Sequence, residues 1–232
     1  MSGIPRTLRF NMSHTSTLIL ASASPRRREL LGLLGVDFVV RPSNVNEDPL
    51  PGETPLQTQH RITREKARIA MENLDSEATD CTVIACDTTV LLDGQMLNKP
   101  ADTNEARDML RRLRGRTHDV QSTIVVLQHD HVCVDEITSQ VRMRTYSDDE
   151  IEAYIATGDP FDKAGSYAVQ HELFKPVREI RGCPMNVIGL ALCGLRAQLS
   201  ALPPCATICA QVIEEIGLQD AVVDRPCDRI YD

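Results

Sequence analysis

The sequence predicts a mixed α/β fold, α+β in its strand pairing, with helices flanking a mixed sheet. Three observations predict it. Short apolar runs of strand character alternate with stretches of helical periodicity along the 232 residues. Helix starts are marked by cap residues, two of them followed by proline. Residues 117–128 and 131–146 read as two long strands around a polar turn at 128–131, which makes an antiparallel pair. No repeat or low-complexity linker interrupts the chain, whose length suits one large domain or two small ones.

The elements follow in order. "TLILAS" (17–22) reads as a short buried strand feeding a helix capped by Ser24, with Pro25 at its first position and Leu30, Leu31 and Leu34 on one face. "VDFVV" is a second strand that runs into a loop. Thr54-Pro55 starts a helix over about 55–74, and Gln57 is placed to close a capping box. "CTVIACDTTVLLDGQML" reads as a strand, a polar interruption at Asp87-Thr88-Thr89, and a further strand turning at Asp93-Gly94. Asp102 and Glu105 cap a helix whose apolar face is Ala106, Met109, Leu110 and Leu113, and Gly115 stops it. "SDDEIEAYIATGDP" is boxed by Ser147 and Glu150 and ended by Gly158 and Pro160. "MNVIGLAL" reads as a late strand or strand-to-helix entry, followed by a helix over about 191–201. Pro203-Pro204 marks the end of the main domain. Beyond it "CATICAQVIEEIGL" is one short helix in an extension over 203–232.

Bulk properties narrow the function. The net charge of −8 argues against a general nucleic-acid or anionic-membrane binder. No apolar run is long enough to span a membrane. Residues 1–16 carry Arg6 and Arg9 but no apolar block of the kind a secretory signal needs, so they read as a flexible tail on a cytoplasmic protein, with an organellar transit peptide or a translation start at Met12 as the alternatives. The eight cysteines show no paired CxxC spacing of a zinc site and fit a reducing compartment. Cys205 and Cys209 are spaced to share a helix face as a metal pair, but core packing or chance is the better account of them.

One feature runs against helix electrostatics. Arg26, Arg27 and Arg28 occupy the first turn after Ser24, where the helix dipole already supplies positive charge. An anion held at that helix end explains them: free backbone N–H groups attract phosphate, arginine adds bidentate bonds, and Ser22 and Ser24 add hydroxyl donors. The alternative is three solvated surface residues. Asp87 follows an apolar strand, where a carboxylate is placed to bind a metal or activate water; its plainer role is to cap a turn. Lys66 in "REKA", Lys99 in "NKP", Lys163 in "FDKAGSY" and the loop acids Glu47 and Asp48 complete the polar candidates. Each alone is also compatible with solvated surface.

Taken together, "LASASPRRRELL", "REKA", "CDTTVLLDG", "KPAD", "GDPFDKAGSYAVQ" and "NVIGL" occur in the order and spacing of the Maf family of nucleoside triphosphate pyrophosphatases, and the chain resembles that family over roughly residues 17–200. The resemblance implies a Maf-like domain over 17–202 between the tail and the extension. It implies a fold related to the inosine triphosphate pyrophosphatases, a long twisted mixed sheet with flanking helices and a cleft between two lobes. It also implies hydrolysis of a nucleoside triphosphate to monophosphate and pyrophosphate, with magnesium or manganese as the divalent cation, in a homodimer.

By motif, Ser22, Ser24, Arg26 and Arg27 match the family's first phosphate-binding loop. Glu47 matches a metal-ligating acid and Lys66 the helix lysine that reaches the site. Asp87 matches the proton acceptor, with a share in the metal, and Thr88 a base-selecting residue. Lys99 and Lys163 match later phosphate-binding lysines, and Gln170 the glutamine of "Y-x-x-Q". Arg26, Thr88 and Gln170 together resemble the branch acting on dTTP and UTP; the 7-methyl-GTP branch usually carries tryptophan in place of that arginine, and this chain has none. Cys86, Asn98 and His171 depart from the family's usual small residue, glycine and glycine. Two other readings stay in view: a nucleotide-binding regulator of septum formation with little turnover, and a pyrophosphatase of different base preference.

Overall fold

A computed structural model describes residues 17–74, 80–129, 131–199, 202 and 204–224. The expected tail at 1–16, the domain-ending Pro203 and the residues after 224 lie outside them. The elements are β1 (Thr17–Leu20), α1 (Pro25–Gly32), β2 (Phe38–Val40), α2 (Pro55–Glu72), β3 (Cys81–Leu92), β4 (Gln95–Leu97), α3 (Thr103–Leu113), β5 (Thr117–Gln128), β6 (His131–Met143), α4 (Asp148–Ala156), β7 (Val177–Arg181), α5 (Pro184–Ile188), α6 (Leu192–Gln198), α7 (Ala206–Glu215) and β8 (Val222–Val223). Two single-turn 3-10 segments, Asp159–Asp162 and Ala164–Ser166, lie between α4 and β7.

The eight strands form one sheet in the order β2-β1-β3-β5-β6-β7-β8, with β4 paired to β3. It is mixed, as the sequence predicts: β1 is parallel to β2 and β3, and β7 to β8, while β3–β4 and β6–β7 are antiparallel. The chain forms two compact units. The first holds β1, β2, α1, α2 and α6, and the second β4, α3, α4, β7, α5 and β8; β3, β5, β6 and α7 contribute to both.

In the first unit, α2 turns Ala67 and Ala70 onto Ile19, Val83, Ala85 and Val125 of the sheet. Small residues let the helix approach the sheet closely. The same approach carries Lys66 inward, to 8% exposure. In the second unit, the apolar face of α3 is fully buried, and Arg111 and Arg114 of that segment both pair with Asp148 at the start of α4. The capping boxes at Thr54–Gln57 and Ser147–Glu150 are both present.

Three local readings are corrected. Asp87-Thr88-Thr89 does not interrupt β3, which continues through it. Threonine is a good strand residue, and β3 goes on to pair with β4 from Val90 to Leu92 through the Asp93-Gly94 turn, where both φ values are positive. "MNVIGL" is not a strand but helix α5, begun by Pro184 and ended before Gly189, whose φ is +140°. The sequence also showed no sign of β7, whose charged residues Arg178, Glu179 and Arg181 mask its alternation. The extension beyond 202 supplies α7 and an edge strand: β8 pairs with β7 at Ile180↔Val222 and Arg181↔Val223.

Candidate functional site

In the first unit the chain leaves β1 at Leu20, passes Ser22 and enters α1 at Pro25. Ser24 Oγ accepts the Arg27 backbone N–H at 3.5 Å, the N-cap bond the sequence predicts. Ser22 is buried; its Oγ accepts the Ser24 N–H at 3.2 Å and an Arg27 Nη1 bond at 3.2 Å. Arg27 Nε also donates to the Gly189 carbonyl at 3.0 Å. The three arginines therefore differ. Arg27 is folded back over the loop and fixed through Nε and Nη1, Arg26 is half-buried, and Arg28 is exposed. Cys86, the departure from a small residue, directs its thiol to that same Gly189 carbonyl at 3.5 Å.

Lys66 stands at the centre of the second cluster in this unit. Its Nζ is 2.6 Å from Glu47 Oε1 and 3.0 Å from Asp87 Oδ1. The Lys66 side chain is 10% exposed, Asp87 19% and Glu47 55%, so a nearly buried ammonium joins one sheltered carboxylate to one open to solvent. A buried cation needs this pairing, because desolvation alone would disfavour its charge. Two carboxylates converging on one cation are also the hard-oxygen donor set that suits a magnesium or manganese ion. Glu47 and Asp87 are the residues that would hold such an ion, beside the Lys66 ammonium they already share.

Sequence reasoning missed the residues that hold this cluster. Gln59 is 1% exposed; its Nε2 donates to the Asp87 carbonyl at 3.2 Å and its Oε1 accepts from Thr123 Oγ1 at 3.0 Å. Arg61 grips Glu53 through Nε and Nη2, at 2.7 and 2.9 Å, and donates to the carbonyls of Asn46 and Asp48 on either side of Glu47. The Arg61 guanidinium bond, followed by the Leu50 N–H, holds the Glu53 carboxyl down at about 2. Glu53 and Arg61 thus tie the Glu47 loop to α2. Their only signal in the sequence is a charged pair near a helix start, which is common on any surface.

In the second unit, Lys163 follows the first 3-10 turn and is 8% exposed. Its Nζ donates to Asp159 Oδ1 at 2.8 Å, to the Asp159 carbonyl at 2.7 Å and to Asp162 Oδ1 at 2.6 Å. Tyr154 Oη donates to Asp159 Oδ2 at 2.6 Å and accepts the Ala168 N–H at 2.9 Å. Burial raises the Asp159 carboxyl, but the Lys163 and Tyr154 bonds outweigh it and leave the carboxyl below its usual range. Gly165, at φ +70°, makes the turn after Lys163, and its N–H donates to the Asn98 carbonyl at 3.2 Å. Lys99 is exposed, and Thr88 and Gln170 are half-buried. His171, the departure after Gln170, accepts the Phe174 N–H on Nδ1 at 3.0 Å and packs edge-on against Tyr154. The imidazole thus closes the turn that follows Gln170.

The structure thus brings together Ser22, Ser24 and Arg27 in one cluster and Glu47, Lys66 and Asp87 in another, both within the first unit, and sets Lys163 in an acidic cradle within the second. A family profile for Maf-like proteins matches residues 17–202. The dTTP/UTP pyrophosphatase of Thermomicrobium roseum is 46% identical over 176 residues, 76% of this chain and 79% of that one. Those of a Geobacter species and Dictyoglomus thermophilum are 41% and 40% identical, covering 77% and 80% of this chain and 91% and 95% of theirs. Among solved structures, the Staphylococcus aureus Ham1 protein overlaps at a TM-score of 0.39 and 15% identity, over 55% of this chain and 72% of that one, a likeness too slight to build on. The fold and its polar clusters are those of a mixed α/β protein with a basic helix-entry loop. The chain belongs to the Maf family.

Proposed function

We propose that this protein hydrolyses dTTP and UTP to the monophosphate and pyrophosphate. The observation that carries the reading is Lys66 bridging Glu47 and Asp87 in the same unit as the Ser22–Arg27 loop. The dTTP/UTP pyrophosphatases that are its relatives at 40–46% identity support the substrate class.

Triphosphate hydrolysis needs positioning and charge neutralisation more than covalent chemistry. In this reading Ser22, Ser24, Arg26, Arg27, Lys66, Lys99 and Lys163 hold phosphate oxygens. Asp87 orients a water and accepts its proton as the water oxygen bonds to the α-phosphorus and the bond to pyrophosphate breaks. A magnesium ion held by Glu47 and Asp87 would neutralise phosphate charge. Arg26, Thr88 and Gln170 select the base, since a site built to hydrogen-bond one base edge discriminates strongly against another. We assign the work to the cytoplasm and to a homodimer, in line with the family resemblance.

Incubation of the full chain and magnesium with dTTP, UTP, CTP, GTP and 7-methyl-GTP separately, with products resolved by ion exchange, tests this. Monophosphate and pyrophosphate from dTTP and UTP are expected. The same products chiefly from 7-methyl-GTP would overturn the roles of Arg26 and Gln170. Diphosphate and phosphate would move the attack to another phosphorus. Tight binding without turnover would favour the regulator of septum formation.

A further inference from the structure

Lys163 and Gln170 both stand on the segment between α4 and β7, which is built from single 3-10 turns and tight turns. What fixes that segment is a buried phenol. Tyr154, in α4, is 2% exposed. Its Oη lies 2.6 Å from Asp159 Oδ2 and 2.9 Å from the Ala168 nitrogen. Chemistry sets the direction of both bonds. A backbone N–H can only donate, so the phenol accepts from Ala168 and gives its one proton to the carboxylate. Burial first, and the Asp159 bond next, push the phenol up, so it keeps that proton. Asp159 uses its other oxygen, Oδ1, to accept from Lys163 Nζ at 2.8 Å. One directed chain therefore runs from the Ala168 N–H through Tyr154 to Asp159, where it meets Lys163.

The ring has a second task. It stacks on Phe174, with centroids 4.4 Å apart and planes 12° from parallel, and His171 packs against it edge-on at 4.7 Å. Ala168, His171 and Phe174 bracket Gln170 and are bonded to one another. The His171 N–H donates to the Ala168 carbonyl at 3.3 Å, and the Phe174 N–H to His171 Nδ1 at 3.0 Å. The oxygen of Tyr154 thus holds the start of the Gln170 turn, and its ring holds the end.

We infer that Tyr154 is a positioning residue that locks the Lys163 cradle and the Gln170 turn into one rigid piece, so that phosphate and base are read at a fixed separation. The inference rests on the proposed pyrophosphatase reading for what Lys163 and Gln170 touch. Tyr154 acts through them, by preorganisation: an unanchored turn would lose backbone and side-chain freedom each time substrate bound.

The test compares Tyr154→Phe with Tyr146→Phe. Both keep the ring and lose a buried phenol bond, but the Tyr146 bond goes to the Leu110 carbonyl at 2.8 Å and involves neither the cradle nor the turn. Values of kcat and KM are measured for dTTP and CTP on the full chain with magnesium, and hydrogen exchange is followed on the free protein. In Tyr154→Phe the ratio of kcat/KM for dTTP over CTP is expected to fall about tenfold, the worth of one hydrogen bond, chiefly through KM for dTTP. The amides of 168–175 are expected to exchange faster in the same variant. Tyr146→Phe is expected to match wild type in both selectivity and exchange over that stretch. Equal losses for dTTP and CTP, unchanged exchange over 168–175, or the same fall in selectivity in Tyr146→Phe each overturn the inference. In wild type the Ala168 amide is expected to be protected, and free exchange there overturns the inference without any variant. Wild type that hydrolyses neither dTTP nor UTP refutes the pyrophosphatase reading instead, and exchange in the free protein then decides whether Tyr154 anchors the turn.

Discussion

Asp87 is fixed at both ends before any substrate arrives. Lys66 holds its carboxylate at 3.0 Å and Gln59 holds its carbonyl at 3.2 Å. Asp87→Asn keeps an oxygen for the Lys66 bond and leaves the backbone bond untouched, but it removes the group that accepts a proton. The variant is expected to fold with a thermal midpoint close to wild type and to lose about 10²–10⁴-fold in kcat, the usual contribution of a positioned base. Near-wild-type turnover in the folded variant would take Asp87 out of that role. At this scale local sequence chemistry gave good access to the charged residues, because arginine at a helix start and aspartate after an apolar run are both out of place there. It gave none to Gln59, Arg61 or Tyr154. A buried glutamine that braces a carbonyl looks, in sequence, like any polar residue on the face of a helix.

The turn after Lys163 is the element on which that lysine depends. Gly165 sits at φ +70°, and a Cβ built there would lie 3.0 Å from Val90 Cγ1. Both conformation and space therefore require glycine. Gly165→Ala is expected to destabilise the protein by about 1–2 kcal/mol from the left-handed conformation alone, with the Val90 clash adding to it. Urea unfolding of the variant beside wild type measures this, and an unchanged midpoint would show that the turn relaxes freely. The elements themselves were legible where local chemistry specified them: the Ser24, Thr54, Asp102 and Ser147 caps all hold the helices they announced. They were illegible where tertiary pairing decides. The apolar run before Gly189 suits a helix or a strand equally by composition. Asp87-Thr88-Thr89 stays extended because β3 is bound to neighbouring strands, and β7 exists because β6 and β8 flank its charged sequence.

Across the molecule, the response to acid separates two kinds of titrating group. His118, in β5, is 3% exposed, with Nε2 2.8 Å from Tyr167 Oη, and burial lowers its pKa from 6.5 to about 4. The unfolded chain therefore binds a proton at this residue that the folded chain does not, over the whole interval between those values. The stability associated with a neutral His118 is complete above about 6.5 and is lost as pH falls toward about 4. The shift corresponds to roughly 3 kcal/mol. The carboxyls act lower. Glu150, bonded first of all to Arg144 and then to the Ser147 N–H, and Glu53, bonded to Arg61, each sit at about 2 against 4.5. Their contributions are intact above about 4.5 and fall away only as pH drops through about 2. Denaturant unfolding at several values between pH 7 and pH 4.5 thus reads the histidine clear of these two carboxyls. Wild type is expected to weaken steadily over that range, and His118→Gln, which cannot titrate, to lose most of the slope even if its overall stability is lower. Parallel curves for the two proteins would mean that protonation of His118 does not couple to folding, and that water reaches this imidazole in the native state.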